Sequence, residues 1–148
     1  VLSYDKYRTE YSKSLDFVEK TDLDMILKTA DIISLHLPLT SETNQLVNEN
    51  FIASCKDGVI ISNTSRGQIV DTKALIDGLE NNKIAGACLD VFENEKPDTF
   101  TEEERAMYAK LYSYDNVVLT PHVAGWTNES LRLIASVLLD KIKNNYIR

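Results

Sequence analysis

The sequence is poor in the residues that mark the simplest classes of function. It holds two cysteines, Cys55 and Cys88, in 148 residues. Neither has a close spacing partner or a histidine cluster beside it. That argues against a disulfide framework or a metal site, and for two reduced, buried thiols in a cytoplasmic protein. Basic residues are also in the minority: 16 Lys and Arg stand against 23 Asp and Glu, for a net charge of −7. A general nucleic-acid surface needs a basic stripe, and none is legible. No apolar run approaches the roughly 20 residues of a membrane span, and no signal-peptide pattern is present. Glycine is scarce: Gly58, Gly67, Gly78, Gly86 and Gly125 are scattered. None forms the G-x-G-x-x-G loop that lays a phosphate on a helix N-terminus. The first residue is Val1, inside an apolar run, so further residues are expected upstream.

What is present is an alternating rhythm, on a length that suits one domain with a real core. "VLSY" and "DFVE" read as short strands. "LDMILKTA" is helical, with Leu23, Ile26, Leu27 and Ala30 on one face. "DIISLHL" is a buried-type strand, and Asn48 caps a short helix in "NENFIASCK". "GVIISNT" is β-rich. Asp71 caps a helix carrying Ala74, Leu75, Ile76 and Leu79. "IAGACLDV" is a further strand. Thr101 opens an acid-led helix, where the macrodipole favours acids. "NVVLT" is the last strand, and a helix follows from Asn128 to Asn145. Its stripe is Leu131, Ile134, Ala135, Leu138, Leu139 and Ile142. Strands alternating with helices predict an α/β fold: a doubly wound, mostly parallel sheet covered on both faces.

In such sheets ligands sit beyond the carboxyl ends of the strands. Reading the residue that follows each strand gives Asp5, then His36 and Pro38, then Thr64, Ser65 and Arg66. Asp90 comes next, with Glu95 shortly after, and finally His122. A histidine at a rim can donate or accept a proton near neutral pH. A carboxylate on its other ring nitrogen would fix the tautomer and favour the charged ring, and Glu95 is the candidate. An arginine offers a planar fork for a carboxylate. Proton donor plus carboxylate clamp suits the interconversion of 2-oxo and 2-hydroxy acids, which needs a hydride carrier.

These residues sit in motifs that resemble the D-isomer-specific 2-hydroxyacid dehydrogenases. "VLSYDKY", "ADIISLHLPLTSETNQLVN", "VIISNTSRGQIVDTKALIDGL", "IAGACLDVFENEKP" and "VVLTPHVAGWTNES" occur in family order over nearly the whole chain. The resemblance implies a Rossmann-type domain that binds NAD. It also implies that Arg66 binds the substrate carboxylate, that His122 is the general acid/base, and that Glu95 pairs with it. By the same resemblance Asp90 holds the nicotinamide carboxamide and Asp5 bonds the adenosine ribose. An acid in that last place accepts from a 2′-hydroxyl and repels a 2′-phosphate, which favours NAD over NADP. The "HLPLT" turn, with His36 and Pro38, resembles the lining of the cofactor cleft; Thr64, Ser65 and Gly125 are further cofactor contacts. A homodimer is implied, and no metal.

Against that family pattern the glycine-rich βα unit and a substrate domain are missing upstream. Residues 1–148 therefore read as a partial dinucleotide-binding domain. The absent strand is the central one, so "VLSY" and "DFVE" should be separated from the strands that begin at "DIISL". Two alternatives to an enzyme stay open: a non-catalytic, NAD-sensing corepressor-like module, and an inactive fragment.

Overall fold

The chain was described from a computed structural model, which covers residues 1–8 and 16–146. Among these residues six parallel strands and five α-helices alternate as the sequence rhythm requires. They run β1 (Leu2–Ser3), β2 (Glu19–Lys20), α1 (Leu23–Thr29), β3 (Ile32–Leu35), α2 (Glu49–Ser54) and β4 (Val59–Asn63). Then come α3 (Thr72–Glu80), β5 (Ile84–Leu89), α4 (Glu102–Tyr112), β6 (Val117–Leu119) and α5 (Asn128–Tyr146). The strands form two sheets. Among the described residues β1 pairs with β2, through Leu2 with Glu19 and Ser3 with Lys20, while β3-β4-β5-β6 make a separate four-stranded sheet. This is the separation expected of the sequence, and it leaves β3 as an edge.

The helix starts follow from local chemistry. Asp22, Asn48 and Asp71 each accept a hydrogen bond from a first-turn amide of α1, α2 and α3. Such caps contribute about 1 kcal/mol each. Thr101 and Glu104 close a reciprocal capping box at the start of α4. Burial then selects one face. Ile33, Leu35, Val59, Ile61, Ile84, Ala87 and Leu89 point from β3, β4 and β5 into a core. There they meet Phe51 and Ile52 of α2, Leu75 and Leu79 of α3, and Tyr108 and Leu111 of α4.

Two expectations need correction. Among the described residues the four-stranded sheet is covered on one face: Ile32 and Val118, pointing the other way, are 62% and 59% exposed. Cys88 lies on that same bare side, so only Cys55 is a buried thiol. Strand pleating explains both, because alternate residues of β5 face opposite sides of the sheet. Finally, α5 forms with its apolar stripe intact but unpacked, Ile134 being 65% exposed. Periodicity fixed the helix, yet periodicity says nothing of whether an apolar partner lies against it.

Register is what builds the site. Leu35 lies opposite Asn63, Asn63 opposite Leu89, and Leu89 opposite Leu119. The four strands therefore end level. The first residues beyond them, His36, Thr64, Asp90 and Thr120, form one row along the carboxyl edge.

Candidate functional site

His122 sits in the turn between β6 and α5, with φ of +55°. A non-glycine residue in the left-handed region is uncommon, although histidine is among those enriched there. Such strain persists only where surroundings enforce it. Here the enforcement is explicit. The amide of His122 donates to the carbonyl of Thr120 at 3.0 Å. The amide of Val123 donates to Asp90 Oδ1 at 2.8 Å, and that of Ala124 to Asp90 Oδ2 at 2.9 Å. The Thr120 hydroxyl donates to Asp90 Oδ1 at 2.5 Å. Asp90 is 4% exposed, and its burial pushes the carboxyl up. The Thr120 hydroxyl, the Ala124 and Val123 amides and His122 nonetheless outweigh burial and hold it below the usual carboxylate range. Three donors leave one lone pair of the four on this carboxylate, on Oδ2.

The imidazole completes the arrangement. His122 Nδ1 meets Glu95 Oε2 at 2.9 Å. That bond occupies Nδ1 and leaves Nε2 outside it. Glu95 is held in turn, its Oε1 accepting from the Phe92 amide at 3.3 Å. The loop that bears it is pinned where Asn94 N donates to the Tyr108 hydroxyl at 3.1 Å and Asn94 Nδ2 to Glu104 at 3.2 Å. A second carboxylate in this loop, Glu93, accepts from the Thr72 amide at 3.1 Å at the start of α3.

Arg66 is exposed, one turn beyond β4, with Nη1 donating to the Ser65 carbonyl at 2.6 Å. The residue that shapes this turn is Asn63, which is fully buried. Its Nδ2 donates to the Arg66 carbonyl at 2.9 Å, and its Oδ1 accepts from the Ser65 amide at 3.0 Å. The Asp90 amide donates to the Asn63 carbonyl at 3.0 Å, so the turns after β4 and β5 are tied together. Gly67 makes that approach possible: a Cβ there would lie 1.9 Å from the backbone carbonyl of Phe92. Ser65 is also a joint. Its hydroxyl donates to the Leu35 carbonyl at 2.7 Å and accepts from the Leu37 amide at 3.1 Å.

The remaining residues singled out in the sequence are more loosely placed. His36 is exposed and its Nε2 meets the Ser34 hydroxyl at 2.9 Å. The Pro38 carbonyl accepts from the Thr43 hydroxyl at 2.7 Å. Gly125 faces open space. Asp5 Oδ1 accepts from the amides of Tyr7 and Arg8, both at 2.9 Å. The Arg8 amide, then that of Tyr7, hold this carboxyl below its ordinary range. A shallow cavity of about 190 Å³ lies over the ends of β4, β5 and β6, lined by Thr64, Cys88, Asp90, Thr120, Val123 and Ala124.

The sequence reading missed Asn63, Thr120 and Gly67. Each carried a signal. Asn63 and Thr120 are polar residues closing apolar strands, and Gly67 follows directly on Arg66.

Two features here suit the ends of a dinucleotide. Asp5 offers an acceptor at the end of β1, where a ribose hydroxyl would lie. The cavity beside Asp90 offers a ring-sized space with largely apolar walls. Among the five glycines no phosphate-cradling loop is found.

Comparison with known proteins identifies the family. The profile of the D-isomer specific 2-hydroxyacid dehydrogenase, NAD binding domain, matches residues 1–124. A hydroxypyruvate reductase of Thermotoga maritima is 43% identical over 142 residues, covering 96% of this chain and 44% of the relative. A D-lactate dehydrogenase of Treponema pallidum is 35% identical over 145 residues, covering 95% of this chain and 43% of its own length. The crystal structure of a D-lactate dehydrogenase from Aquifex aeolicus, complexed with NAD and lactic acid, superposes with a TM-score of 0.80 at 36% identity. It covers 96% of this chain and 44% of that one. The chain thus spans less than half the length of the relatives it matches.

Proposed function

Because the chain belongs to the D-isomer specific 2-hydroxyacid dehydrogenases, through their NAD-binding domain, we propose that it is the cofactor-binding part of an NAD-dependent oxidoreductase. Its reaction is the interconversion of a 2-oxo acid and a 2-hydroxy acid. The observation that carries this reading is the 2.9 Å pairing of His122 with Glu95, on a loop that buried Asp90 holds in a left-handed turn.

NAD, when bound, supplies or accepts the hydride at C2. The chain's own residues move the proton and hold the substrate carboxylate. His122 Nε2 gives a proton to the carbonyl oxygen in the reductive direction and takes it back from the hydroxyl in the other. Glu95 holds Nδ1 so that Nε2 keeps its aim and the charged ring has a counter-ion. Arg66 binds the carboxylate through its planar fork and so orients the carbonyl. Asn63 and Gly67 fix the turn from which Arg66 extends.

On the cofactor side, Asp5 accepts from the adenosine ribose, and the remaining Oδ2 lone pair of Asp90 accepts from the nicotinamide carboxamide. His36, Pro38, Thr64, Ser65 and Gly125 line the cleft between. The partners are a small 2-hydroxy or 2-oxo acid and a second copy of the chain. We place the protein in the cytoplasm: Cys88 is a free, exposed thiol, which suits a reducing compartment.

The test is oxidation of NADH by the protein with pyruvate, hydroxypyruvate and an aromatic 2-oxo acid. A 2-oxo acid should be reduced, and His122→Gln should lower turnover by about 10²- to 10⁴-fold, the usual worth of general acid–base catalysis. Parental turnover in that variant would overturn the assignment of His122.

A further inference from the structure

Next to the acid proposed for the ribose stands a cation. Lys6 follows Asp5 directly, and a basic side chain in this neighbourhood is what accommodates a 2′-phosphate. The side chain is engaged elsewhere. Lys6 Nζ lies 2.5 Å from Glu42 Oε2, and the Tyr7 hydroxyl donates to the same oxygen at 3.2 Å. The bridge crosses from the loop after β1 to the loop after β3. Both ends are fixed. Asp5 Oδ1 receives two backbone amides on one side. On the other, the Thr43 hydroxyl donates to the Pro38 carbonyl at 2.7 Å, and the Thr40 amide donates to Thr43 Oγ1 at 2.8 Å.

We propose that Glu42 sets coenzyme choice by withholding Lys6 from the ribose end of the cleft. This rests on Asp5 as the ribose acid. Glu42 takes the ammonium that would otherwise meet a 2′-phosphate. Lys6 also lies 5.5 Å from the Tyr7 ring centroid, so the ring backs the ammonium in this position. Lys6 holds the Glu42 carboxyl below its ordinary range, and Glu42 holds the Lys6 ammonium above its own, as a formed ion pair requires. Arg8 and Lys20 also act on the Asp5 carboxylate, so the decisive experiment must single out Lys6.

The measurement is equilibrium binding of NADH and NADPH to the wild-type chain and to Asp5→Ala, Glu42→Gln, Lys6→Met and the Lys6→Met/Glu42→Gln pair. Wild type should prefer NADH. Glu42→Gln should tighten NADPH roughly fivefold, as suits a half-exposed charge contact, and change NADH by less than about twofold; the double variant should lose the gain. Unchanged NADPH affinity in Glu42→Gln, or a gain that survives in the double variant, overturns the clamp. If Asp5→Ala still weakens NADH in that case, the ribose reading stands and the clamp alone falls. A folded wild-type chain that takes up neither coenzyme overturns both.

Discussion

Asp90 Oδ1 lies 2.8 Å from the amide nitrogen of Val123, across 33 residues of sequence. The contact joins the end of β5 to the loop after β6, and with the Ala124 amide it makes Asp90 the anchor of the turn that carries His122. Replacing Asp90 by Asn puts an amide donor where one oxygen now accepts. A buried donor without its partner costs about 1–3 kcal/mol. Asp90→Asn should therefore melt several degrees lower. In its spectra the Val123 and Ala124 amides should lose protection from hydrogen exchange, while those of β3 keep theirs.

The same contact sets a pH dependence. The folded Asp90 carboxyl is held below its ordinary value, despite burial, by the Thr120 hydroxyl, the Ala124 and Val123 amides and His122. A depressed carboxylate stabilises the fold fully above its unfolded value, about pH 4, and loses that contribution as pH falls through the folded one. The amide resonances of Val123 and Ala124 should accordingly titrate together below pH 4. Asp90→Asn should abolish that titration. A midpoint at or above that of an exposed aspartate would contradict the anchoring role.

Gly67 is the tightest backbone approach near the site. A methyl there would need the Phe92–Glu93 backbone to retreat from contacts of 1.9 and 2.5 Å. Because backbone and not a flexible side chain stands in the way, Gly67→Ala should destabilise by about 2–4 kcal/mol. It should also displace the loop that carries Glu95. Thermal melting together with the chemical shifts of residues 92–95 reads both effects; wild-type stability would show that the two turns can separate freely.

The thiols differ in environment. Cys55 donates to the Phe51 carbonyl at 3.3 Å, and burial pushes its thiol up to about 11. Cys88 is exposed on the bare face of the sheet, in the wall of the cavity beside Asp90. At pH 8 a thiol reagent should modify Cys88 quickly in the native chain and reach Cys55 only in denaturant. Bound NADH should slow the reaction of Cys88.

The row of strand-end residues was more legible in the sequence than the packing around it. His122, Glu95 and Arg66 could be singled out as candidates because strand ends carry ligands in parallel sheets, and a polar residue after an apolar run marks such an end. Parallel register then sets the ends of β3 to β6 level, so a list read along the chain becomes a row in space. The anchoring by Asp90 could not be read, since two amides on a distant loop leave no mark in composition. Nor could the exposure of Cys88, Val118 and the α5 stripe: alternation and helical period say which residues share a face, and only a neighbouring element decides whether that face is covered.

Trp126 supplies the most direct test of the central claim. It is 80% exposed, and its amide donates to the carbonyl of Val123, a residue of the cavity wall. NADH titrated into the chain should quench its fluorescence saturably and raise the emission of the dihydronicotinamide by energy transfer. Competition by NAD should reverse both changes. A folded chain whose Trp126 emission is indifferent to NADH would contradict the assignment of this rim as a dinucleotide site.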